Sequence, residues 1–274
     1  MGNITLPFSQ NELAEIAAES GFSDPISEAT RAALDLIGAK EFKRYLCDTM
    51  EVATHMSGGG EMFVFERAVL FSINDGDGLH TQLRLLARLW EGIWGIKKIP
   101  VTYKELRLPD RMDAKSFEKL SDRDIVLANL SEDGLLSPSF LRVLCLDITK
   151  WIERVERSEF RAALSRLRNT TEEQLVVFRV PAVDELTLRR LREAIGWFFN
   201  VDVVYTPPCA IDDYYAYALQ RVEKRGLELD GEAREALRRA LELRRGSGGF
   251  WGFHSVDVLI DDMLFAALRG KYAL

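Results

Sequence analysis

Residues 67–94, RAVLFSINDGDGLHTQLRLLARLWEGIW, constrain the fold more than any other stretch. Residues 67–73 form an apolar run too short for a helix and closed by a turn signal, which reads as a buried strand. Asn74, Asp75, Gly76, Asp77 and Gly78 supply the turn. Beyond Thr81, the apolar residues Leu83, Leu85, Leu86, Leu89, Trp90 and Ile93 fall largely on one helical face. Strand, glycine turn and helix in succession is the layout of a phosphate-binding loop.

The chemistry of such a loop is missing. A loop of the form G-x-x-x-x-G-K-[ST] uses backbone amides, a lysine and a hydroxyl to hold phosphates and Mg²⁺. Aligned on its last glycine, this chain has Ile73 at the first glycine position, Leu79 at the lysine position and His80 at the hydroxyl position, with Thr81 one residue later. Asp75 and Asp77 stand where phosphate oxygens would lie. Like charges a few ångströms apart in a partly dry loop repel strongly. The segment 74–81 therefore reads as a degenerate nucleotide loop, and no residue is assigned a catalytic or metal-binding role.

Composition narrows the function classes. The 274 residues suffice for one large domain, or a domain and a small one. A net charge of −7 argues against generic nucleic-acid binding. No apolar run approaches a membrane span, and no signal-peptide pattern opens the chain. The cysteines Cys47, Cys145 and Cys209 are odd in number and lack metal spacing, which fits a reduced, cytoplasmic setting. Cys145 alternates within a strand and reads as core.

In chain order, residues 9–56 read as helical: one helix over 11–20 capped by Ser9, another from Ser27 through Leu36, and a third to about Thr54. Ser57-Gly58-Gly59-Gly60 breaks the chain before the first strand. Further strands are expected at 98–103, 142–147, 175–180 and 202–206, with helices at 114–120, 151–167 and 185–197. Within the stretch 124–139, residues 124–130 are either an extra strand or a helix. Pro207-Pro208 marks a boundary. Helices then follow over 212–225, 232–244 and 256–268, the last two capped by Asp230 and Ser255.

This ordered set resembles the AAA+ subfamily that contains stage V sporulation protein K and the red-type rubisco activases. Ile37, Gly38 and Lys43 match an Ile-Gly-x-x-x-x-Lys helix before the first strand. RVLCLD (142–147) is similar to Walker B, in which Asp147 would order Mg²⁺ and the next residue would activate water. That next residue is Ile148. The polar sensor expected near Arg179-Val180-Pro181 is not found. No arginine occupies the finger position in 194–199, Arg192 being the nearest. KRGLELDGEAREALRRAL (224–241) resembles the subfamily's lid, whose nucleotide-sensing arginine is absent from Gly252-Phe253-His254-Ser255.

The resemblance implies an α/β fold: an AAA+-like three-layer αβα core with a parallel five-stranded sheet, followed by a small all-α lid domain. The implied divisions are an N-terminal helical segment at 1–60, the core at 61–207 and the lid at 208–274. With phosphate lysine, adjacent hydroxyl, Walker B glutamate, sensor and arginine finger all lost, the expected function is a catalytically inactive, pseudo-ATPase subunit of bacterial, chaperone-like type. It would act as a structural, adaptor or regulatory protein, with an active AAA+ relative or a client protein as partner and no cofactor. The alternative is a divergent AAA+ ATPase that still binds ATP or ADP with Mg²⁺ through the amides of the helix N-terminus. A third reading drops the resemblance for an α/β interaction module with a helical tail.

Local alternatives stand beside these. Asp147 either belongs to a metal site or caps the following helix with Thr149. His80 reads as a surface or packing residue. The basic run Arg234, Arg238, Arg239, Arg244 and Arg245 lies beside Glu232, Glu235 and Glu242 and reads as an ion-paired face. Phe250, Trp251 and Phe253 sit on a glycine-flanked loop and either pack on the core or dock a partner.

Overall fold

The structure, a computed structural model, describes residues 24–55, 67–94, 103–107, 142–170 and 174–272. The expectations at 11–20, 57–60, 98–102, 114–120 and 124–139 lie outside the described residues.

The strands are β1 (Arg67–Ser72), β2 (Tyr103–Arg107), β3 (Arg142–Asp147), β4 (Gln174–Val180) and β5 (Asn200–Tyr205). They form one five-stranded sheet in the order β2-β3-β4-β1-β5, and every pairing is parallel. Helices α1 (Asp24–Leu34), α2 (Lys40–His55) and α3 (Leu79–Trp94) cover one face. A 3₁₀ helix (Thr149–Arg154), α4 (Ser158–Thr170) and α5 (Glu185–Gly196) cover the other. Parallel strands need such crossovers, and the crossovers bury both faces.

The side-chain alternation of the strands divides the core accordingly. Val69, Phe71, Val143, Cys145, Val177 and Val204 join the cluster under α1–α3. Ala68, Leu70, Leu144, Leu146, Val176 and Phe178 join the cluster under α4 and α5. Cys145 is thus core, at 2% exposure. Helix α3 is buried on more than one side, because α1 packs on its outer flank. That position explains why Leu85, off the main apolar stripe, is buried too. At the start of β1 the Arg67 guanidinium grips Asp202 of β5 with two hydrogen bonds of 2.9 and 2.7 Å.

Several boundaries differ from expectation. The second strand lies at Tyr103–Arg107, beginning where the expected one ended. The single helix expected at 151–167 is instead a 3₁₀ helix and then α4, separated by a turn at 155–157. Trp151 in the 3₁₀ helix and Val155 in the turn after it both reach the sheet, and Ser158 opens α4.

Past Pro208, α6 (Ile211–Glu223), α7 (Gly231–Gly246) and α8 (Gly252–Tyr272) build a third apolar cluster from Tyr214, Ala218, Val222, Leu237, Leu241, Val256 and Ile260. Asp230 caps α7, accepting the Ala233 N–H at 2.8 Å. Ser255 is not the cap of the last helix. It lies inside α8 and accepts the Trp251 N–H at 2.7 Å, so the helix begins at Gly252. The basic face of α7 is ion-paired: Arg238 reaches Asp212 at 2.6 Å and Glu242 at 3.5 Å, and Arg244 reaches Asp262 at 3.7 Å. These exposed pairs contribute little stability each.

Phe178 on β4 is fully buried and meets Phe199 edge-on at 5.4 Å. Phe178→Ala is expected to cost about 3–5 kcal/mol in urea unfolding with an unchanged slope; a cost below about 1 kcal/mol would contradict this packing.

Candidate functional site

In open parallel sheets, ligands bind beyond the carboxyl ends of the strands where the strand order reverses. Here that place is the end of β1, between β4 and β5, where the chain enters residues 74–78. The loop is anchored on both sides. The Ile73 N–H donates to the Val180 carbonyl at 2.9 Å, and the Thr206 N–H donates to the Ser72 carbonyl at 2.8 Å. Asn74 Oδ1 accepts the Ala182 N–H at 3.0 Å. The Asp77 N–H closes the turn onto the Asn74 carbonyl at 3.3 Å, and Gly76 and Gly78 take φ of +87° and +96°, conformations that favour glycine. Helix α3 starts at once, with the Gln82 N–H on the Gly78 carbonyl at 3.0 Å.

The residues aligned with the phosphate chemistry lie elsewhere. Leu79, at the lysine position, is 7% exposed and belongs to the core under α1–α3. His80 is on the surface, but it has a partner: Nε2 lies 3.0 Å from Glu105 Oε1, and the ring stacks on Tyr103. Thr81 is exposed.

The positive charge comes instead from Arg179 on β4, directly beside β1. Its side chain is 5% exposed. Nη1 donates to Asp147 Oδ2 at 3.1 Å, and Nη2 donates to the Ile73 carbonyl at 3.2 Å and to Asp75 Oδ1 at 2.5 Å. One guanidinium thus ties the end of β3 to the loop after β1. Asp147 also accepts the Thr149 N–H at 2.9 Å and lies 3.5 Å from Arg107 Nε. Asp147 is therefore not the cap of the 3₁₀ helix, whose N-cap is Ile148 without a side-chain cap bond; it binds the first backbone N–H of that helix and is ion-paired to Arg179. Among the described residues no group of His, Cys, Asp or Glu is arranged to hold a metal ion.

Solvent decides which carboxylate matters more to Arg179. Asp75 is 73% exposed and Asp147 only 18%. Water screens the Asp75 contact despite its short distance, so Asp147 is the principal counter-charge. Its carboxyl is held below the usual carboxylate range: burial pushes the other way, but hydrogen bonding from Thr149 and the charges of Arg179 and Arg107 outweigh it.

Asp77 points away from Arg179 and into the helical unit. It is 6% exposed, and its Oδ1 accepts the Tyr214 hydroxyl of α6 at 2.7 Å. Burial, with Asp77 beside it, raises the Tyr214 hydroxyl far above its ordinary value. Burial and Asp77 likewise push the Cys209 thiol up to about 12, which leaves it inert. The like-charge conflict expected between Asp75 and Asp77 is thus relieved by separate partners, a cation for one and a phenol for the other. Phe250 and Phe253 pack on the Tyr214 ring at 4.8 and 5.2 Å. Trp251, between them, is 67% exposed.

Arg179 and Tyr214 were missed in the sequence. Arg179 left a trace: an arginine inside the apolar run LVVFRV needs a buried partner. Tyr214 left none, since its partner lies 137 residues away.

No protein-family model matches the chain, and no curated protein matches it. Solved structures with a distant likeness include the following three. One is C. elegans PCH-2 (TM-score 0.44, 14% identity, 75% of this chain and 53% of that one). Another is the replication initiator DnaA bound to AMPPCP and single-stranded DNA (0.41, 12%, 82% and 64%). The third is a DNA replication initiation factor (0.40, 10%, 82% and 62%). The chain spans between half and two thirds of their lengths.

Removing Arg179 takes the buried counter-charge from a half-buried carboxylate and leaves it only the exposed Arg107 at 3.5 Å. Arg179→Met is expected to cost about 3–5 kcal/mol at neutral pH. Asp147→Asn should cost less, and its deficit should shrink with acidification. A carboxyl whose folded value is depressed stabilises the fold above the ordinary carboxylate range and loses that contribution as pH falls through its folded value. Urea unfolding of both proteins across pH checks this; a deficit for Asp147→Asn that stays constant from neutral to acid pH would contradict the ion pair.

Proposed function

We propose that this chain is an AAA+-like protein that neither hydrolyses nor requires nucleotide, and that it acts as a structural, adaptor or regulatory subunit for an active AAA+ relative or a client protein. The observation that carries the reading is Arg179. Its guanidinium joins Asp147 and Asp75 across the mouth of the loop, so the chain's own ions occupy the charge pattern that Mg²⁺ and phosphate would need. Any phosphate entering there meets Asp75 and Asp147, carboxylates that repel it.

The other losses agree with this. Ile148, in place of a water-activating glutamate, is fully buried. Leu79 is committed to the core, so the lysine's absence is part of the packing. The arrangement of parallel sheet, glycine loop and helical unit supports the AAA+-like reading together with the sequence resemblance. Trp251, exposed next to the loop, supports a protein contact at this end of the molecule.

Calorimetry with ATP and ADP, with and without Mg²⁺, is expected to show no binding at about millimolar ligand. Micromolar binding would overturn the reading in favour of a divergent nucleotide site built on the amides that open α3. Leu79→Lys, which restores the motif lysine, is expected to leave binding absent and to destabilise the fold by about 2–3 kcal/mol, because it places an ammonium in the core.

A further inference from the structure

Asp77 has no part in the charge pattern around Arg179, yet it is the most buried carboxylate of the loop. Its side-chain hydrogen-bond partner comes from the helical unit. The Tyr214 hydroxyl reaches it at 2.7 Å. The ring behind that hydroxyl is held by Phe250 and Phe253 edges at 4.8 and 5.2 Å and by the Arg245 guanidinium 5.9 Å from its centroid. Arg245 in turn donates to the Cys209 carbonyl at 3.3 Å, fixing the segment that leads into α6. The phenol is therefore aimed at the loop by its own unit's packing.

One residue earlier, the backbones themselves meet. The Phe253 N–H donates to the Gly76 carbonyl at 3.0 Å. A Cβ on Gly76 would lie 2.7 Å from the Trp251 carbonyl oxygen, and a Cβ on Gly252 would overlap the Gly76 carbonyl. Both contact points need glycine for space, and both take positive φ, +87° and +52°. A third contact lies farther out, where Gln220 Nε2 donates to the Asp35 carbonyl at 3.1 Å.

We propose that the loop is a permanent latch. Asp77 and Gly76 hold the helical unit shut on the sheet unit through Tyr214, Phe253 and Gly252, and no ligand is needed for closure. Packed units joined by a small interface ordinarily move relative to one another. Here the interface is small but directional. The phenol donates to a carboxylate, a charge-assisted bond stronger than a neutral one, and the glycine pair admits one close approach and no other. A site that waits for a ligand leaves room between its halves. This junction has closed that room with backbone against backbone. The consequence for a partner is a single fixed surface running from the sheet unit to the helical unit, independent of the nucleotide state of the cell.

The test measures the relation of the two units directly. Leu186 on α5 and Leu243 on α7 are exposed, and the three native cysteines are buried, so Leu186→Cys and Leu243→Cys can carry paired spin labels for distance measurement. The expected result is one narrow distance without ligand, unchanged on adding ATP and Mg²⁺. Tyr214→Phe, which removes one oxygen, and Gly252→Ala, which forces the backbones apart, should each broaden the distribution towards longer distances, with helical content by circular dichroism retained. A broad distribution in the unsubstituted pair, a narrowing that appears only with nucleotide, or narrow distributions in both variants would overturn the latch. It fails separately from the function proposed above: nucleotide binding by calorimetry with an already narrow distance would defeat the inactive-subunit reading and leave the latch standing.

Discussion

The Arg179 guanidinium is the interaction on which this end of the molecule depends. A buried cation is stable only when opposite charge and hydrogen-bond acceptors surround it. Asp147, Asp75 and the Ile73 carbonyl provide these from the ends of two other chain segments. The arginine therefore does what a bound ligand does in a phosphate loop: it draws the carboxyl ends of β1, β3 and β4 together. The two carboxylates that look misplaced in a nucleotide motif are the counter-charges of a cation already in the chain, or, for Asp77, the acceptor of a phenol.

The same loop organises the molecule in the other direction. Its glycines let the backbone turn twice within five residues, and Gly76 brings the carbonyl that Phe253 needs to the surface of the loop. Strand, loop and helical unit are thereby connected through a span of a few residues. The apolar clusters on either side of the sheet and within the helical unit are separate; the junction between them is polar and directional.

Much of the architecture was legible beforehand. Parallel strands buried on both faces read as continuous apolar runs, and RAVLFS, RVLCLD and LVVFRV all stood out for that reason. The cap of α7 was visible as Asp230, because capping is a local interaction. Where the chain departed from its local signals, tertiary contact decided. Trp151 in a 3₁₀ helix and Val155 in the turn after it pack on the sheet and break the expected long helix. Ser255, with good cap chemistry, was overtaken by a helix start at Gly252, where the loop contact fixes the backbone.

The candidate site divides along the same line. By itself the sequence determined that residues 74–78 form a glycine turn between strand and helix and that Leu79, His80 and Ile148 lack the chemistry of phosphate transfer, since these follow from residue identity and spacing along one segment. Only the tertiary structure decided what replaces that chemistry. Arg179, Asp75 and Asp147 come from three strand ends, and Tyr214 meets Asp77 across 137 positions. Such pairings carry no periodicity and no motif. They exist because the crossover order of the sheet sets β1 beside β4 and the helical unit folds back over the loop, and distances between strand ends are a property of the fold, not of any stretch of chain.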